Sequence, residues 1–164
     1  IGKEVARKAA LGLDMRVISY VPRLEGKDIP EYVEIVSWEE LLQTSDYISL
    51  HVPGGEKNQG IISKKEFAMM KKSAFLIQVS RGGVVDEEAL AEAIRNGQIR
   101  GAAVDVFSEE PPQKDNPLLK LEQVILTPHI GSNTVECMDR IALDVAEDVH
   151  LVLSGENPKH PIKR

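Results

Sequence analysis

The chain has 164 residues, the length of one domain and enough to bury a sizeable core. Its 42% hydrophobic and 28% charged residues are an ordinary globular balance, and no apolar run approaches the roughly 20 residues that span a bilayer, which excludes a helical membrane protein. A formal charge of −6 speaks against a binder of phosphate backbones and favours small-molecule partners.

In chain order, the sequence opens with the helical pattern "IGKEVARKAALGL", in which Val5, Ala6, Ala9 and Ala10 form a small-residue face. Apolar runs of strand length follow at 15–21, 32–36, 46–52, 73–80, 101–107 and 123–127. Several are apolar at nearly every position, as expected of strands covered on both faces. Helices are predicted between them. Ser37 and Ser63 each begin a Ser-x-x-Glu pattern, which marks a helix start, and Asp86 is placed to cap "EEALAEAIRN", with Gly97 as its stop. A last long helix is predicted from about 133 to 153, opening on Asn133-x-x-Glu136 and ending at Ser154-Gly155. The polar, proline-containing segment 154–164 reads as a linker. Alternating strands and helices predict an α/β fold with a doubly wound, mainly parallel sheet of the Rossmann type, with residues 1–153 as its nucleotide-binding domain.

Ligands of open α/β sheets bind beyond the carboxyl ends of the strands, and here those ends are polar: "LHVPGG", "VSRGGVVDE", "VDVFSEEPP" and "LTPHIGSN". Arg81 stands between a strand and a Gly82-Gly83 turn, where a guanidinium can grip a carboxylate through two parallel hydrogen bonds; the alternative is a surface arginine in a turn. Asp105 lies in an otherwise apolar strand, so its charge needs a partner, for which a cofactor amide is one candidate. Glu109 and Glu110 precede Pro111-Pro112 and read either as site residues or as a solvated acidic turn. His129 is a candidate acid/base or simply a histidine in a turn. Gly2 is placed either as the third glycine of a G-x-G-x-x-G pattern or as an ordinary helix start.

The segments "SRGGVVDEEAL", "GAAVDVFSEEPP" and "TPHIGSNT" resemble, in order and spacing, the signatures of the D-isomer-specific 2-hydroxyacid dehydrogenases, with the phosphoglycerate, glyoxylate and hydroxypyruvate enzymes the nearest. The resemblance covers almost the whole chain. It implies an oxidoreductase that moves a hydride between a nicotinamide cofactor and a small D-2-hydroxy or 2-keto acid. Arg81 would hold the substrate carboxylate, His129 would serve as acid/base, and Glu110 would pair with it. Asp105 would face the nicotinamide carboxamide, His51, Val52, Pro53 and Ser80 would lie along the dinucleotide, and Gly131 beside the nicotinamide. No metal is implied, and a homodimer through this domain is. Another branch of the same family implies an alternative, a dinucleotide-sensing corepressor. A fragment without ligand affinity is the third possibility.

Three departures from the family pattern stand out. Val21 occupies the position of the usual acidic residue that contacts the ribose, which leans only weakly to NAD and leaves NADP open, with Arg23 placed to meet a 2′-phosphate. The loop "HVPGGEKNQG" lacks the usual Leu-x-Pro-x-Thr pattern. The first strand, the first two glycines and the substrate domain are not in the sequence. Because the chain begins without methionine inside a helical pattern, it is expected to be the remainder of a longer enzyme, with a sheet split where its central strand should be and no catalysis of its own. Cys137 is the only cysteine and no signal peptide is visible, so a cytosolic setting is expected.

Overall fold

The computed structural model describes residues 1–161. By contacts the chain divides into two compact units, Ile1–Pro128 and a second that begins at His129.

In the first unit, helix α1 (Gly2–Leu13) ends at Asp14, a left-handed residue, and the Met15 N–H closes onto the Ala9 carbonyl at 3.0 Å. Strands β1 (Val17–Ser19) and β2 (Val33–Ile35) form a two-stranded sheet. Strands β3 (Tyr47–Leu50), β4 (Phe75–Gln78), β5 (Gly101–Val104) and β6 (Val124–Leu126) form a four-stranded sheet in that order. Every pairing is parallel. All six predicted strands are present, and among the described residues no strand joins β1 to β3, so the sheet is split at the expected place.

The helix signals operate as capping chemistry. The Ser37 hydroxyl accepts from the Glu40 N–H at 3.1 Å and opens α2 (Trp38–Thr44). The Glu66 carboxylate accepts from the Ser63 N–H at 3.1 Å and opens α3 (Lys64–Met69). One Asp86 oxygen caps α4 (Glu87–Arg95) through the Ala89 N–H, while the other accepts from the Ser63 hydroxyl at 2.8 Å, tying the two helix starts together. Gly97 takes a left-handed φ of 64°, and the Gly97 and Gln98 N–H groups close onto Ile94 and Ala93, as a glycine stop requires.

Parallel register aligns Ile48, Leu76, Ala102 and Val124 across the four strands, and Leu50, Gln78 and Val104 two residues on. The apolar members of this face form one core with Leu42 of α2, Phe67 of α3, Leu90 and Ile94 of α4, and Leu118 of a short 3-10 helix (Pro117–Lys120). The opposite face departs from the sequence expectation. Ser49, Ile77 and Ala103 are only half-buried and Ile125 is 70% exposed, because α2, α3 and α4 pack on the same side. On α1, Ala6, Ala9 and Ala10 are half-buried as the small-residue face predicts, whereas Val5 is exposed.

In the second unit, α5 (Val135–Leu153) is capped by Thr134, whose hydroxyl accepts from the Cys137 N–H at 3.2 Å. The cap is therefore one residue beyond the predicted Asn133, since Thr134 is the residue with extended backbone and a hydroxyl facing the first turn. Asp148 within α5 accepts from the N–H groups of Lys159 and His160, which follow the helix, at 2.7 and 3.1 Å. Burial works to raise this carboxyl, but those two donors and the His160 ring outweigh it and hold Asp148 below the usual carboxylate range.

Candidate active site

The segments beyond the carboxyl ends of β3, β4 and β5 lie close together, main chain against side chain between the first two and main chain against main chain between the last two. At the end of β3, His51 touches the start of α1: a side-chain carbon at Gly2 would stand 3.3 Å from the His51 Cβ. The first turn of α1 thus lies beside the end of β3. The His51 Nε2 lies 3.0 Å from the Ser49 hydroxyl, and burial holds its imidazole below the ordinary value of 6.5. A histidine that resists protonation when folded contributes stability that is present above 6.5 and lost as pH falls through that value toward its lowered folded one. The midpoint of urea unfolding should therefore drop on acidification below pH 6.5, and His51→Gln should show a shallower drop. Equal pH dependence of the two proteins would remove His51 as the cause.

Val52 packs against the core, and the Pro53 carbonyl accepts from the Asn58 amide at 2.8 Å, which folds the following loop back into a short 3-10 turn (Glu56–Asn58). Within it, a side-chain carbon at Gly54 would meet the Arg81 side chain at 3.1 Å. The β3 and β4 loops are thus in contact where the first bears Pro53 and the second Arg81.

Beyond β4, Ser80 is buried and Arg81 is exposed. The Arg81 Nη1 donates to the Ser80 carbonyl at 2.7 Å, anchoring one end of the guanidinium. Gly82 is required for its lack of a side chain: a Cβ there would fall 1.9 Å from the Phe107 carbonyl oxygen, beyond the end of β5. Gly83 follows with a left-handed φ of 78°.

Beyond β5, the strand ends at Val104, so Asp105 lies one residue past it and not inside it as the sequence suggested. The Asp105 N–H donates to the Gln78 carbonyl at 2.9 Å, which leaves the side chain buried at the strand's end. Its carboxylate accepts from the Thr127 hydroxyl at 2.5 Å, a partner that sequence reasoning did not identify. Glu110 folds back so that its Oε1 accepts from the Phe107 N–H at 3.1 Å. Its neighbour Glu109 instead accepts from the Gln113 amide.

Sequence reasoning also missed Glu87. Its two carboxylate oxygens accept from the Ser108 N–H and the Asn116 amide, each at 2.6 Å, and staple both ends of the segment that carries Glu110 to the start of α4. The signal was the acidic pair after Asp86, which reads simply as favourable charge in a first helical turn.

Val21 lies two residues beyond β1 and is half-buried. In the second unit, His129 adopts φ 54°, one of two non-glycine residues with a positive φ among those described, and Gly131 is exposed in the same turn. A histidine in that backbone region is uncommon, and such positions cluster at functional sites.

Parallel strands whose carboxyl ends gather polar groups, with a helix start against one of them, define an α/β dinucleotide-binding class of protein. The family described as "D-isomer specific 2-hydroxyacid dehydrogenase, NAD binding domain" matches residues 1–131, and the chain belongs to it. It is 45% identical over 159 residues to D-3-phosphoglycerate dehydrogenase of Methanocaldococcus jannaschii, covering 95% of this chain and 30% of the relative. Among solved structures, D-lactate dehydrogenase with NAD+ from Lactobacillus jensenii superposes with a TM-score of 0.88 at 28% identity, over 100% of this chain and 53% of that one. An acyclic imino acid reductase in complex with NADPH and D-Arg superposes with a TM-score of 0.85 at 31% identity, over 99% and 50%. The chain thus spans about a third of that curated relative and half of the two solved ones.

Proposed function

We propose that the protein is a nicotinamide-dependent oxidoreductase of small D-2-hydroxy acids and their 2-keto partners. The observation that carries this reading is the succession of Arg81, Glu110 and His129 after the adjacent parallel strands β4, β5 and β6, in the family's own motif order. A dinucleotide fits the residues present. The start of α1 beside His51 offers N–H groups to a pyrophosphate, and the buried Asp105 offers an acceptor to a carboxamide. Gly2, Val21, His51, Val52, Pro53, Ser80, Arg81, Asp105, His129 and Gly131 are the residues we assign to the cofactor. When bound, the nicotinamide supplies or accepts the hydride at the substrate's C2.

The chain's own residues handle the proton and the carboxylate. His129 gives a proton to the carbonyl oxygen during reduction and takes it from the hydroxyl during oxidation. We assign Glu110 as the carboxylate partner of His129, after the family's motif order. Arg81, with one end of its guanidinium anchored on the Ser80 carbonyl, grips the substrate carboxylate and orients the reacting carbon. We assign residues 1–153 to the nucleotide-binding domain and 154–164 to a connection toward a substrate domain. A homodimer and a cytosolic setting complete the proposal, and NADP stays open because Val21 offers no carboxylate to repel a 2′-phosphate.

The deciding measurement is oxidation of NADH and NADPH by the full-length protein with glyoxylate, hydroxypyruvate and 3-phosphohydroxypyruvate. Turnover of at least one, with the reverse reaction using the D and not the L hydroxy acid, is the expected result. Absence of turnover on all three, together with NADH-dependent capture of a peptide, would replace the enzyme by a dinucleotide sensor.

A further inference from the structure

The last residue of β4 is a buried glutamine on an otherwise apolar sheet face. Gln78 is 2% exposed and registers with Leu50 and Val104. An amide buried without partners costs roughly 1–3 kcal/mol, yet this one is bonded at both ends, and every bond reaches the next turn. Its Oε1 accepts from the Ser80 hydroxyl at 2.9 Å and, more weakly, from the Ser80 N–H at 3.4 Å. Its Nε2 donates to the Arg81 carbonyl at 2.8 Å.

The two halves of the amide therefore hold the chain on either side of the Ser80-Arg81 peptide unit, at the Ser80 N–H and hydroxyl before it and the Arg81 carbonyl after it. The Ser80 carbonyl is in turn the anchor for Arg81 Nη1. The chain of contacts runs from the buried amide to the main chain, and from the main chain to the guanidinium. A side-chain carbon at Gly54 would meet the Arg81 stem at 3.1 Å, so the stem runs close along the β3 loop.

We propose that Gln78 is a positioning residue for substrate recognition, setting the direction of the Arg81 guanidinium through the Ser80-Arg81 main chain. This role rests on Arg81 holding the substrate carboxylate. It requires both an acceptor and a donor on a side chain of this length. Methionine keeps the volume and offers neither. Glutamate keeps the shape and the acceptor, but donates to the Arg81 carbonyl only when its carboxyl is protonated.

The test uses Gln78→Met and Gln78→Glu in the full-length protein, with steady-state kinetics for the accepted keto acid across pH and thermal unfolding as the check on folding. Gln78→Met should raise KM roughly tenfold, the equivalent of about one hydrogen bond, with kcat changed much less. Gln78→Glu should show a raised KM at neutral and alkaline pH that recovers toward the parent value on acidification, relative to the parent at each pH. A merely structural role would not produce that recovery. If Gln78→Met does not fold, the pH profile of Gln78→Glu decides alone. KM values within twofold of the parent at every pH, or a Gln78→Glu defect without acid recovery, would overturn the inference. A raised KM in Arg81→Lys beside unaltered Gln78 variants overturns this role and leaves the proposed function standing, whereas an unaltered KM in Arg81→Lys removes Arg81 from the substrate site and this role with it.

Discussion

Replacing His129 by alanine in the full-length protein is expected to lower kcat by roughly a hundred- to ten-thousand-fold while changing the affinity for NADH far less. The asymmetry follows from the role. An imidazole that transfers the hydroxyl proton acts as charge develops on the substrate oxygen, whereas the residues proposed for the dinucleotide are spread over three strand ends and the start of α1. Its positive φ adds a control. His129→Asn tolerates the same left-handed backbone, so it separates the loss of the titrating ring from any change in the turn. Small and equal effects of His129→Ala on kcat and on NADH affinity would remove the acid/base assignment.

The second large effect is expected at Arg81. Arg81→Lys retains the charge but replaces a planar fork by a point donor, and a fork anchored on the Ser80 carbonyl cannot be reproduced by an ammonium at the end of a flexible stem. KM for the keto acid should rise about ten- to a hundredfold, the range that corresponds to one charge-assisted hydrogen bond. Cofactor affinity should change less, because the other residues proposed for the cofactor are unaltered. Kinetics indistinguishable from the parent would place Arg81 outside the substrate site.

The order of strands and helices was legible because it depends on local rules. Apolar runs marked all six strands, and Ser37, Ser63, Asp86 and Gly97 act in the structure as the helix boundaries that their chemistry announces. What the sequence left open depends on how far each element reaches. Gln78, like Asp105, is a polar residue in an apolar run, but a carboxylate announces its need for a partner more strongly than an amide, and the partners of Gln78 lie only two and three residues away in a turn that no periodicity describes. Thr127 was invisible as the companion of Asp105 because the contact crosses from the end of β5 to the end of β6. Cover on one face in place of two was equally hidden, since an apolar run at 73–80 reads the same whichever side α2, α3 and α4 take. For the site residues, motif order singled out Arg81, Glu110 and His129, while the groups that hold their loops in place, Gln78 and Glu87, emerged only with the hydrogen bonds.

The seam between Gly82 and the Phe107 carbonyl bears on how such a protein can change over generations. With no side chain between them, the turn that presents Arg81 and the segment that presents Glu110 have no cushion, and a shift in one must be met by the other. Substitutions on the two loops should then be strongly epistatic, and a lineage acquiring a different acid as substrate would find few single steps available here. Diversification would then be channelled to surfaces away from this seam, with the Arg81 turn and the Glu110 segment held in fixed register.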